Sequence, residues 1–130
     1  VRAVHGYAAR FSQMGEGGKR PTLSAEQLAE VPEVTHPVVR INRETGRRAL
    51  YVNEGFTQGI EGMPMVESRT LVDTLNAHAT QPDFVYDHRW RVGDLVFWDN
   101  RAVMHCATAY DTSYPRRMHR TTIQGDMPIA

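Results

Sequence analysis

The sequence predicts a β-rich α+β chain with two short helices, and three observations carry that prediction. Short apolar or alternating runs at 36–41, 49–52, 84–90, 95–98 and 116–123 have strand length and are bounded by turn residues. Ser24-Ala25-Glu26-Gln27 and the spacing of Ser68, Leu71, Val72, Leu75 and Ala79 mark two helices. No internal repeat or low-complexity tract interrupts this order. The pattern permits a jelly roll or a barrel without specifying either.

Each element has a local cause. Gln13 to Pro21 is polar and Gly-rich, as a surface loop would be. Ser24 can cap a helix through about Glu30, with Gln27 reaching back, and Pro32 helps end it. His36 to Ile41 and Ala49 to Val52 read as a hairpin around the turn residues Glu44-Thr45-Gly46-Arg47. Pro64 suits the first turn of the second helix, and Pro82 marks its end. Phe84, Tyr86, His88 and Trp90 alternate onto one face of a strand. Val92-Gly93-Asp94 turns the chain into a compact apolar strand, Leu95 to Trp98. A last strand is expected from about Arg116 to Ile123, closed by Gly125-Asp126.

The totals exclude several classes of function. Lys plus Arg equals Asp plus Glu at 15 each, so general electrostatics give no reason to expect nucleic acid or an anionic membrane as partner. No apolar run approaches the roughly 18–20 residues that cross a bilayer. No signal-peptide core follows Val1. The single cysteine, Cys106, forbids an internal disulfide and fits a reducing cytoplasm.

The last third holds the candidate chemistry. His105 follows the strong strand and the turn-forming Asp99-Asn100-Arg101, where a histidine is either structural or a ligand. Arg116, Met118 and Arg120 alternate onto one face of the last expected strand. Two arginines on one face are costly to bury without anions. They either bind two acidic groups or are solvated edge charges that discourage aggregation. Phe56, in the loop-like Asn53 to Thr57, is a pocket lid or a packing plug. Cys106 reads as a packing residue, and His36, His78 and His88 as structural histidines.

From His36 to Pro128 the chain resembles the taurine dioxygenase family. The matching segments are HPVVR (36–40), ALYVNEGFT (49–57), ES (67–68), WRVGDLVFWDNR (90–101), His105 and RRMHRTTIQGD (116–126), in family order and spacing. The resemblance implies a double-stranded β-helix (jelly roll), present here in part. It implies Fe(II) and 2-oxoglutarate, the latter decarboxylated to succinate and carbon dioxide as dioxygen hydroxylates a substrate C–H bond. By the same resemblance His105 is the distal iron ligand, Arg116 clamps the far carboxylate of 2-oxoglutarate, and Arg120 meets the acidic end of the substrate. Phe56 and Phe11 match aromatic walls of the substrate pocket, and Trp98 a tryptophan near the iron. The implied substrate is a small acidic molecule, a sulfonate such as taurine first, with an alkyl sulfate or an aryloxyalkanoate as the alternative.

The family's other two ligands form a His-x-Asp (or Glu) motif, and none of the six histidines begins one. The expectation is therefore that residues 1–130 are the C-terminal part of one dioxygenase domain, with that motif upstream. One imidazole is not a ferrous site, so the chain alone should not turn over. The rival outside the enzyme class is a non-catalytic jelly-roll piece that binds or oligomerises. Strand edges left unpaired would favour association into homo-oligomers.

Overall fold

The computed structural model describes residues 1–7 and 23–123. Its centre is strand β1 (Arg2–His5), which pairs antiparallel on both sides, with β2 (Val34–Pro37) and with β5 (Thr57–Ile60), in the order β2-β1-β5. The register sets Ala3 opposite both His36 and Ile60, and shifts at a bulge between Val4 and His5. Neither β1 nor β5 is marked by the sequence pattern. Both are short, and β5 contains a glycine and a glutamine.

The predicted hairpin is present as β3 (Val39–Ile41) and β4 (Arg48–Leu50). Its turn forms as its residues dictate. The Asn42 side-chain oxygen accepts from the backbone N–H groups of Glu44 and Thr45 at 3.0 and 2.9 Å, and Gly46 takes φ +67°. The run 36–41 is not one strand, because the chain bends at Val38 between two sheets. The Val38 N–H donates to the Val1 carbonyl and its own carbonyl accepts from Tyr51 N, so this buried residue joins the sheets.

Both helices lie where the sequence puts them. Helix α1 (Ala25–Glu30) opens with the full capping box between Ser24 and Gln27. Helix α2 (Met65–Ala79) follows Pro64 and buries Ser68, Val72 and Asn76, with Leu71 and Leu75 packing beside them. It rests on β5. The Ser68 hydroxyl accepts the Ile60 backbone N–H, and a Cβ on Gly59 would lie 3.0 Å from that hydroxyl oxygen. The helix therefore approaches the strand at a distance that glycine permits. The buried apolar core among the described residues is Ala3, Val38, Val52, Ile60 and Val72.

The three later strands are corrected. Residues 82–84 form a 3₁₀ turn, and no strand is formed over 85–90, 95–98 or 116–123. Leu95 is 92% and Phe97 81% exposed. A strand needs a neighbour for its N–H and C=O groups, and among the described residues none lies alongside these runs. The expected alternation survives locally, since the ring of His88 lies 5.9 Å from Tyr86 and 4.7 Å from Trp90. Asp94 closes the turn after them, accepting from Arg91 N at 2.8 Å and meeting His88 Nε2 at 3.1 Å, with Gly93 at φ +90°. The Gln13–Pro21 loop and Gly125-Asp126 lie outside the described residues.

One cluster couples the two sheets. The rings of His5, His36 and Tyr51 lie 5.3–5.5 Å apart, and Arg40 sits 4.5 Å above the Tyr51 ring. Burial, then the neighbouring His36, pushes the His5 pKa below the ordinary 6.5. Burial, then Arg40 and Arg2, does the same to His36. Both rings therefore fold neutral. Their contribution to stability is complete above pH 6.5 and is lost as the pH falls through their lowered folded-state values. Denaturation midpoints measured from pH 7.5 to 5 should fall, and His36→Asn should flatten the fall. A midpoint indifferent to pH over that range would contradict the coupling.

Candidate active site

The site is built from two segments that the fold brings together. The first is the loop 53–57, which ties itself into a compact turn. The Asn53 side-chain oxygen accepts from Gly55 N at 2.8 Å, and the Thr57 hydroxyl accepts from Asn53 N at 2.8 Å. The Phe56 carbonyl accepts from Gly6 N at 2.9 Å, which anchors the loop beyond the end of β1. This leaves the Phe56 ring 39% exposed and stacked 6.2 Å from Tyr7. A cavity of about 220 Å³ opens beside it, with Glu54 and Thr57 on the loop side and Met65 and Arg69 on the first turns of α2.

The second segment runs from Trp98 to His105. The Asp99 carboxylate accepts from the Arg101 backbone N–H at 2.8 Å and from its guanidinium at 2.9 Å, which folds the turn. The Arg101 side chain, then its backbone N–H, holds the Asp99 carboxyl below the usual carboxylate range. Arg101 also lies 3.6 Å from Glu44 on the tip of the β3–β4 hairpin. Trp98 donates its indole N–H to Asn100 at 2.9 Å, and its ring stands 4.8 Å from that of His105. The Asn53 side-chain amide, meanwhile, reaches the Met104 sulfur at 3.4 Å. That contact sets the residue before His105 against the loop that carries Phe56.

Of the expected site residues, Trp98 and His105 meet directly, and Phe56 belongs to the loop that touches Met104. Arg116 lies over the Tyr110 ring at 5.1 Å, and Arg120 is exposed. Neither arginine contacts His105. Phe11 lies outside the described residues. Cys106 is exposed and not packed, which corrects that expectation. His78 packs on Phe84 at 5.1 Å, as a structural histidine does. Sequence reasoning missed Tyr7, Glu54, Met65, Arg69 and the Asn53–Met104 contact. The Asp-x-Arg spacing of the turn was visible, but its reach to Glu44 is a tertiary fact.

His105 is a suitable imidazole donor for Fe(II), yet it is one donor. Among the described residues no group of three His, Cys, Asp or Glu stands together to hold a metal ion. The described residues thus do not complete a metal centre. No helix among them is long and apolar enough to cross a membrane.

The described residues form two small antiparallel sheets and no closed barrel, and comparison with known proteins shows the family to which they belong. Residues 1–122 match the family model "Taurine catabolism dioxygenase TauD, TfdA family", and the chain belongs to that family. It is 44% identical over 106 residues to the alpha-ketoglutarate-dependent 2,4-dichlorophenoxyacetate dioxygenase of Cupriavidus pinatubonensis, a match covering 82% of this chain and 37% of that protein. It is 36% identical to the alpha-ketoglutarate-dependent sulfate ester dioxygenase of Pseudomonas putida, covering 76% and 33%. The crystal structure of AAD-2 in complex with Mn(II) and N-oxalylglycine superposes with TM-score 0.73 at 35% identity, covering 89% of this chain and 44% of that one. The chain thus spans about a third to under half of the length of these relatives. Fe(II) with 2-oxoglutarate (alpha-ketoglutarate) is the cofactor pair of this family.

Proposed function

We propose that the protein to which this chain belongs is an Fe(II)- and 2-oxoglutarate-dependent dioxygenase acting on a small organic acid with an aryl group, of the aryloxyalkanoate kind. The chain contributes the C-terminal part of its jelly roll. His105 is one iron ligand, and a His-x-Asp pair elsewhere in the protein supplies the others. The observation that carries the reading is the Asn53–Met104 contact, which turns the His105 segment toward the Phe56 loop. The 44% identity to a 2,4-dichlorophenoxyacetate dioxygenase, with the half-exposed Phe56 beside a cavity, favours an aryl acid over the sulfonate first expected.

The chain's own residues then divide the work. Arg116 offers a planar, bidentate donor to the far carboxylate of 2-oxoglutarate. Arg120 binds the acidic group of the substrate, and Phe56 walls its apolar part. The Trp98 ring limits how far the His105 imidazole can swing. Fe(II), when bound, supplies the electrons that activate dioxygen.

The test is succinate formation by the full-length protein with Fe(II), 2-oxoglutarate and, in turn, an aryloxyacetate, an alkyl sulfate and taurine. Aryloxyacetate should give the highest kcat/KM. Arg120→Ala should raise the KM for that acid by about tenfold or more while sparing the KM for 2-oxoglutarate, since a charge-assisted hydrogen bond contributes ~1.5–3 kcal/mol. Arg116→Ala should do the reverse. Absence of succinate with every acid sinks the proposal. A loss of 2-oxoglutarate affinity in Arg120→Ala would undo the division between the arginines.

A further inference from the structure

We propose that Met65 and Arg69, one turn apart at the start of α2, determine specificity by gripping the aryl tail of the substrate. This rests on the function proposed above and extends it to residues that neither the sequence pattern nor the family resemblance singles out.

The two side chains share a helix face, at i and i+4, and close the cavity opposite Phe56. At about 100° per residue that face is the same one that carries Ser68, Val72 and Asn76, but near its N-terminal end Met65 and Arg69 are exposed. Met65 is 72% exposed, and neither side chain belongs to the core. Their chemistry suits an aromatic ring. A thioether contacts ring edges favourably, and a guanidinium stacks on ring faces. The size fits as well, since a cavity of about 150 Å³ takes benzene and this one measures about 220 Å³.

Charge sets the direction in which a substrate enters. Glu54 and Arg69 both line the cavity, so its formal charge cancels and an acid gains little there. The Glu54 carboxylate also repels a second carboxylate. The acidic end is left to Arg120 and the uncharged ring to the cavity.

The experiment compares phenoxyacetate with methoxyacetate, which keeps the acid and removes the ring. In the full-length protein, Met65→Ala and Arg69→Ala should each lower the ratio of kcat/KM for phenoxyacetate over methoxyacetate about tenfold, a factor ordinary for lost pocket contacts. Met65→Leu should keep most of the preference. Arg69→Lys should not restore it, because an ammonium lacks the planar face. Equilibrium dialysis of phenoxyacetate should show the same order of affinities without turnover. An unchanged ratio in both alanine variants, in an active protein that prefers phenoxyacetate, overturns this inference and leaves the proposed function standing. A protein that forms succinate with taurine but not with phenoxyacetate overturns both this inference and the proposed substrate. No succinate with any acid overturns both.

Discussion

In the full-length protein, His105→Ala should cut succinate formation by more than about a hundredfold, because partners that only orient a metal ligand already cost 10–100-fold when removed. A ferrous site of this class holds its metal with two histidines and one carboxylate, so removing one imidazole leaves two donors. Iron content after desalting should fall in parallel. The fold should not suffer. His105 lies on an exposed segment outside the core, and its ring contact is with Trp98. Trp98→Phe is the useful contrast, since it keeps a ring beside His105 and removes only the N–H bond to Asn100. It should retain most iron binding. Full activity in His105→Ala would refute the ligand assignment, and iron loss in both variants would mean that the segment is merely fragile.

The second large effect is structural. Ser68→Ala should destabilise by ~1–3 kcal/mol, the cost of leaving a buried backbone N–H without its acceptor. Ser68 is 1% exposed, and its hydroxyl takes the Ile60 N–H at the point where α2 meets β5. Thr70→Ala on the outer face is the control. That hydroxyl bonds back to the Val66 carbonyl of its own helix, and its loss should stay within about 0.5 kcal/mol. Denaturant midpoints of the two variants in the full-length protein measure the difference. Equal midpoints would mean that the helix–strand contact contributes little.

What was legible in the sequence was local. The Ser24–Gln27 capping box, the Glu44–Arg47 turn and the helical face of 68–75 are each satisfied within a few residues, so sequence order specifies them. β1 and β5 were invisible because their pairing joins Ala3 to Ile60, and neither run is long or apolar enough to announce itself. The runs at 85–90, 95–98 and 116–123 have strand composition but no neighbour among the described residues. Composition licenses a strand, whereas only a partner completes it. The site divides in the same way. His105 and Trp98 follow from segments in register with the family, whereas the Asn53–Met104 contact and the cavity between the Phe56 loop and the first turns of α2 depend on tertiary placement.

The strand order has a consequence during synthesis. β1 is the middle strand of its sheet, yet it is made before both of its neighbours. Roughly fifty residues separate it from β5, so at ~5–20 residues per second a ribosome needs about 3–10 s to deliver the second partner. Through that interval one edge of the β1–β2 pair stands open, and an open edge invites pairing with other chains. Helix α2 cannot shield it earlier, because it docks on β5 and is made later still. Within this part of the protein β1 thus waits longest for its second partner, and chaperone demand should concentrate in that interval.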